Sequence, residues 1–181
     1  MIVFISDTFN KKVMFIAYYQ IIGGIIGILL TFWELVNIES GSLLLLGALG
    51  LYTFSVLCGK LLIDGKIEKG LRHSTINQAI QTINFKLIGF AFNFIAGFNL
   101  SVGIDYTSNL KFNYNLSLSQ FNFAINGNNE LVKVGINLIA LSLIFTIGNM
   151  MIEFKQERKK LNNDPVVNEQ NATPDTSGKF I

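Results

Sequence analysis

Three stretches of this chain are almost free of polar side chains, and a fourth alternates apolar with polar positions. Residues 13–33 (VMFIAYYQIIGGIIGILLTFW) carry one strongly polar side chain, Gln20, and no charge. A helix needs about 20 apolar residues to cross a bilayer, so this stretch suffices. Its apolar core exceeds the roughly 7–15 residues of a cleaved signal, and no small-x-small site follows it. An uncleaved helix is therefore expected, with Trp33 at an interface. A short acidic loop with Glu34 and Glu39 leads to residues 42–63 (SLLLLGALGLYTFSVLCGKLLI), a second span, paired with the first as a hairpin. Lys60 near its end can snorkel to headgroups. Residues 131–152 form the last apolar run, interrupted by Lys133, Asn137 and Asn149.

Residues 64–85 place Ile67, Leu71, Ile76, Ile80 and Ile83 at mostly helical spacing, with Lys66, Lys69 and Arg72 among the intervening positions. That pattern predicts a basic amphipathic helix on the membrane surface, or a connector packed on the neighbouring module. Lys66, Lys69 and Arg72 are its expected headgroup contacts.

From Phe90 onward the period changes to two. Phe90, Phe92, Phe94, Phe98, Leu100, Val102 and Ile104 alternate with Asn93, Gly97, Asn99, Ser101, Gly103 and Asp105. After a turn at residues 107–109, Phe112 and Tyr114 alternate with Asn113 and Asn115, and the register slips at Gln120 as at a bulge or turn. Strict alternation predicts antiparallel strands, broken near Gly97. Two or three strands alone are marginal in water, so their aromatic face needs a cover. Phe90, Phe92, Phe94, Phe98, Phe112 and Tyr114 are accordingly the candidate interaction face.

The expected fold is a membrane protein, mainly α, with three transmembrane helices and an antiparallel β-rich insertion before the last of them. Its parts are an N-terminal hairpin (1–63), the basic helix (64–85), the β-rich module (86–130), the last helix (131–152) and a charged, then disordered tail (153–181). The alternative makes residues 87–104 a fourth transmembrane helix, followed by a β-hairpin loop. Charge creates the conflict between the two. Lys11-Lys12, the 60–72 stretch and the cluster Lys155, Arg158, Lys159 and Lys160 all favour the cytoplasmic side. Both termini on one side require an even number of crossings, and three helices supply an odd number. In the three-helix arrangement the β module shares the cytoplasmic side with the 60–72 stretch.

Composition agrees with a membrane class. Half of the 181 residues are hydrophobic and 14% are charged, against about 25% in soluble domains. A net charge of +2 gives no basic field for nucleic acid. The expected partners are the bilayer and another membrane protein or a second copy. The expected place is a cell membrane crossed several times, the bacterial inner membrane, since abundant Ile, Phe and Asn suit a low-GC bacterial genome. Small residues at G-x-x-x-G-type spacing, Gly23 with Gly27 and Ser55 with Gly59, are candidate helix-packing positions.

Candidate chemistry is thin. His73 is the only histidine and has no second His or Cys nearby to share a metal. Cys58 lies inside an apolar helix, where a thiol behaves as a small hydrophobe. No catalytic residue, cofactor site or metal site is assigned, and no nucleotide-binding or nucleophile-elbow motif occurs. The expected role is a non-enzymatic scaffold or interaction subunit. A homo-oligomeric pore lined by Gln20, Asn137 and Asn149 is the alternative, and a membrane enzyme the third choice.

Overall fold

The structure, a computed structural model, describes residues 6–37, 43–107, 109–125 and 132–163. Glu39, the Gly127-Asn128-Asn129 turn and the tail beyond residue 163 lie outside the described residues. Four helices, α1 (Asp7–Asn37), α2 (Leu43–Ile63), α3 (Ile67–Thr82) and α4 (Leu138–Asn163), enclose six strands in chain order. These are β1 (Ile83–Leu87), β2 (Phe90–Ile95), β3 (Asn99–Asp105), β4 (Lys111–Ser117), β5 (Gln120–Ala124) and β6 (Val132–Asn137). Three helices, α1, α2 and α4, are long and apolar enough to cross a membrane, and an antiparallel six-stranded sheet precedes the last of them. Residues 87–104, the possible fourth helix, are strands.

Several boundaries move: α1 extends past the apolar run at both ends, to Asp7 and Asn37, and α4 continues through the charged flank expected as tail to Asn163. Strand β6 occupies residues 132–137, which the apolar run had assigned to the last helix. Its alternation of Val132, Val134 and Ile136 with Lys133, Gly135 and Asn137 explains why. Asn137 then caps α4, its Oδ1 accepting from the backbone of Ile139 and Ala140. Strand β1 similarly takes Ile83 and Phe85 from the amphipathic helix.

The buried face of α3 is also not the one expected. It consists of Gly70, Leu71, Ser74, Asn77, Gln78 and Gln81, while Ile76 is exposed. The reason lies in the neighbours, because α1 and α2 present Gln20 and Ser55 to it. Gln20 Nε2 donates to Ser74 Oγ at 2.9 Å, and Asn77 Nδ2 donates to Gln20 Oε1 at 3.2 Å and to Ser55 Oγ at 3.1 Å. A polar face turned inside toward other polar groups, with isoleucine outside, suits a helix whose surroundings are apolar.

The sheet order is β4-β3-β6-β1-β2-β5, so β4 and β5 are its two edges. Yet only Leu118 and Ser119 separate them in the chain. Three residues of extended chain reach at most about 11 Å. Opposite edges of a flat six-stranded sheet stand about 24 Å apart, at roughly 4.8 Å per strand. The sheet is therefore curled until its edges meet at one end. The slip at Gln120 is this edge-to-edge link rather than a bulge.

The closed end rests on the helices. Ser119 Oγ donates to the Gly23 carbonyl at 2.9 Å and accepts from Gly97 N at 3.0 Å. Gln81 Oε1 accepts from Ala96 N at 2.8 Å, and Tyr19 OH donates to the Phe98 carbonyl at 2.9 Å. Phe94 packs on Ala48 and Tyr52 of α2, its ring 5.2 Å from that of Tyr52.

The other end of the molecule gathers the basic clusters. Phe9 of α1 stacks on Phe154 of α4 at 6.4 Å, and Arg158 pairs with Glu68 at 2.7 Å. The start of α1, the α2–α3 turn and the distal half of α4 therefore sit together, carrying Lys11, Lys12, Lys66, Lys69, Arg72 and Lys155. Chain direction reverses at α2, again at α3 with the sheet beyond it, and again at α4. A short polar helix and a sheet form the third leg, so the start of α1 and the distal part of α4 lie at the same end of the structure. The β module lies beyond the end of α3 that is farther from the basic clusters.

Candidate functional site

Cross-strand register decides what the curled sheet shows to each side. Leu87 faces Phe90 and Val132, Phe85 faces Phe92 and Val134, Val102 faces Tyr114 and Ile136, and Ile104 faces Phe112. All these apolar side chains project from one face, and that face is the outside of the curl. The inner face carries the other half of the alternation. Asn84, Asn93, Asn113, Asn115, Gln120 and Asn122 line a cavity of about 200 Å³ there, with Ser101, Lys86 and Lys133. Every one of the six strands contributes to it, which only a curled sheet permits.

Glycine makes room inside. Gly103 and Gly135 face each other in register on the inner surface. A Cβ on Gly135 would collide with the Asn84 carboxamide, and one on Gly103 would lie 2.6 Å from the Val134 carbonyl and 3.1 Å from Asn113 Oδ1. The lysines sit toward the rim. Lys86 and Lys133 are opposite each other in register, and Lys133 Nζ pairs with Asp105 at 2.7 Å. Hydrogen bonds from Lys133 and from Thr107 hold the Asp105 carboxyl well below the usual carboxylate range. Such a group remains ionised, and the pair intact, at any pH above that lowered value; the pair loosens only as pH falls through it.

At the floor, Asn99 Nδ2 donates to Ser101 Oγ at 3.3 Å and to Ser117 Oγ at 3.1 Å. Asn99 Oδ1 and Asn137 Nδ2 are buried without a hydrogen-bond partner. Deeper in the helices, Asn77 Oδ1, Gln81 Nε2 and both amide atoms of Gln78 are likewise unpartnered. A buried orphan costs about 1–3 kcal/mol, so this polar interior is held against its own energetics.

Compared with protein-family models, curated proteins and solved structures, the chain matches none.

The residues singled out by pattern fall into different places. Gly27 packs under the Tyr52 ring, Gly59 against the Ala17 carbonyl, and Ser55 Oγ donates to the Gln20 carbonyl at 3.1 Å, all between α1 and α2. Gly23 instead meets the sheet, where a Cβ would lie 2.5 Å from Gly97 N. On the candidate interaction face, Phe112 and Tyr114 are 81% and 86% exposed, and Phe90 and Phe98 are also exposed. Phe94 departs from that group, being 0% exposed beneath α2, and Phe92 is partly covered beside it. Phe98 lies in the β2–β3 connection rather than in a strand. Lys66, Lys69 and Arg72 are exposed at the basic end.

His73 Nδ1 contacts the Lys69 carbonyl at 2.8 Å, and Cys58 is buried in α2. Among the described residues, no three His, Cys, Asp or Glu gather as a metal site. The cup lining escaped the sequence reading because its asparagines passed as the solvent half of an alternation. Their uniformity was the available signal, since a merely wet face would mix in more charge.

Proposed function

We propose that this chain is a non-enzymatic integral membrane protein that serves as an interaction subunit of a membrane complex. It crosses a cell membrane several times, and its composition supports a bacterial inner membrane. The observation that carries the role is the uncovered apolar wall of the β module. Phe112, Tyr114 and Leu116 are 81%, 86% and 73% exposed, and a shallow groove of Val102, Ile104, Val134 and Ile136 runs beside them. Contiguous apolar patches of this kind mark contact sites for protein or lipid. The occupant we infer is another membrane protein or a second copy, meeting the wall beside α4.

Phe112→Asp combined with Tyr114→Asp is expected to abolish cross-linking of the protein to its neighbour in native membranes, and energy transfer between two labelled copies. Membrane insertion should be unchanged, because neither side chain supports the core. Cross-linking at the level of the unaltered protein would rule this role out.

From the basic residues gathered at one end we further infer that both termini face the cytoplasm, with the cup on the other side. Reporters active only in the cytoplasm, fused to either end, should both give signal. Unlike signals at the two ends would refute this topology.

A homo-oligomeric pore is the second reading. It is supported by the polar residues that run from the cup through Asn99 and Gln81 to Asn77 and Gln20. Purified protein in liposomes should then release a small ion or solute, and Gln78→Leu should reduce that release. A tight bilayer at high protein density would dispose of the pore.

A further inference from the structure

We propose that the cup inside the curled sheet is a binding site for a small polyhydroxylated anion, of the phosphorylated-sugar or phosphorylated-polyol class. Size sets the first limit. A volume of about 200 Å³ holds roughly seven waters at about 30 Å³ each. That suits one ring-sized molecule and excludes a peptide or a nucleic-acid strand.

The lining chemistry sets the second. Each carboxamide offers both donors and acceptors, the combination that pairs with hydroxyl groups. Six carboxamides from four strands converge on this space, and Ser101 of a fifth adds a hydroxyl of its own. By register the aromatic side chains of the strands belong to the outer face, and only Phe85 and Phe92 touch the cavity, so the carboxamides dominate its recognition chemistry. The apolar side chains that register turns to that face are Ala91, Ile95 and Ala124, and Ile95 is buried, so the inward-facing groups are mainly polar.

Charge sets the third. Asp105 is the one carboxylate on the inner face among the described residues, and it is engaged by Lys133. Lys86 lies opposite Lys133, and Lys111 opposite Asp105, so three ammonium groups face one carboxylate. Two like charges opposed across strands destabilise a sheet unless an anion joins them. A phosphate near Lys86 and Lys133 would do so, with its hydroxylated ring directed down toward the carboxamides.

The floor supplies an independent observation. Asn99 Oδ1 and Asn137 Nδ2, each in a residue 1% exposed, have no hydrogen-bond partner. One is an acceptor and the other a donor. Both belong to the inner face, on either side of Ser101, which itself lines the cavity and faces Asn137 in register. Neither residue lines the cavity itself, so Ser101 is the link between the ligand space and this polar floor.

The same chemistry is offered by a soluble sugar phosphate and by the headgroup of phosphatidylinositol. Calorimetry on the full chain in phosphatidylcholine nanodiscs separates them, with glucose 6-phosphate, inositol 1-phosphate, glucose and inorganic phosphate as soluble probes. A second set of nanodiscs contains phosphatidylinositol. One of the phosphorylated polyols should bind saturably, and glucose and inorganic phosphate each about tenfold or more weaker. If the lipid is the ligand, nanodiscs with phosphatidylinositol should block that binding. Lys86→Gln and Asn122→Leu should each weaken it by about tenfold, while Phe112→Ala leaves it unchanged. Lys86 and Asn122 lie on the strands, away from the helix contacts, and tryptophan emission from Trp33 checks that each variant is folded. The proposal is overturned if no phosphorylated polyol binds, if inorganic phosphate binds as tightly, or if binding survives both cup variants.

Discussion

Gly23→Val detaches the β module from the helices. At this position α1 touches the β2–β3 connection directly, and a Cβ would stand 2.5 Å from Gly97 N, 2.6 Å from Ala96 C and 2.7 Å from Ala96 O. All three are backbone atoms, so no side chain can swing away to make room. The connection cannot retreat either. Gly97 has φ of +111°, a conformation that side-chain-bearing residues rarely adopt, and the Tyr19 ring lies against it. Ser119 Oγ also holds the Gly23 carbonyl, so displacing the helix breaks that hydrogen bond. Overpacking of this sort costs about 1–3 kcal/mol, and more where only backbone can yield. The lost hydrogen bond leaves buried groups unpaired, adding about 1–3 kcal/mol. The expected result is a protein that still inserts, but whose residues near 96–98 become cleavable by added protease and whose melting in detergent is markedly lowered. Gly47→Ala and Gly50→Ala are the controls. A Cβ on either meets nothing within 4 Å, and alanine improves the helix by up to about 1 kcal/mol. Equal tolerance at Gly23 and Gly47 would contradict the placement of the sheet on α1.

Phe94→Ala should be the most destabilising single truncation in the module, at about 3–5 kcal/mol. Its side chain is 0% exposed, enclosed by Ala48, Tyr52 and Ala96, with Ile28, Leu51 and Ile80 around that cluster. It is the outward aromatic of β2 on which the α1–α2 hairpin closes, so its removal opens a cavity where helix and sheet meet. Phe112→Ala, four-fifths exposed on the same outer face, should cost almost nothing in the isolated protein. Denaturation of both variants in mixed detergent micelles, followed by the emission of Trp33, measures the difference. Comparable stability of the two would show that the outer wall is not divided into a covered and an open part.

That division explains why the interaction face was only half readable. Alternation identifies Phe90, Phe92, Phe94, Phe112 and Tyr114 as one face of a sheet, because side chains in a strand point to opposite sides in turn. It cannot say which of them a helix will cover. Phe94 went under α2 through the sheet's attachment at Gly23 and Gly97, a contact between residues more than 70 positions apart. Strand β6 shows a different loss of signal. Residues 132–137 alternate as clearly as residues 99–105, yet they adjoin the apolar start of α4, and the combined length imitates one membrane span. A length criterion outweighed a period criterion where the period was right.

Helix α3 marks the limit of periodicity itself. Its isoleucines do recur at helical spacing, but in a membrane protein the apolar side of a helix is not necessarily its buried side. Lipid covers apolar surface as well as a protein core does, and amides gain most by finding partners inside. Ser74 and Asn77 turned inward because Gln20 and Ser55 were there to meet them, and that meeting is a property of three helices together.

By itself the amino-acid sequence indicated three apolar runs of membrane-spanning length, one of them (α2) almost to the residue, and the presence of strands between residues 90 and 124. These follow from local period, length and charge, which need no partner to be expressed. Tertiary structure alone decided that β4 and β5, neighbours in the chain, are opposite edges of one sheet. It therefore also decided that the sheet curls, that its asparagines face a cup rather than open solvent, and that the cup opens away from the basic end. Pairing order is chosen by which strands can share hydrogen bonds while the floor stays on the helices, and no local pattern encodes that choice.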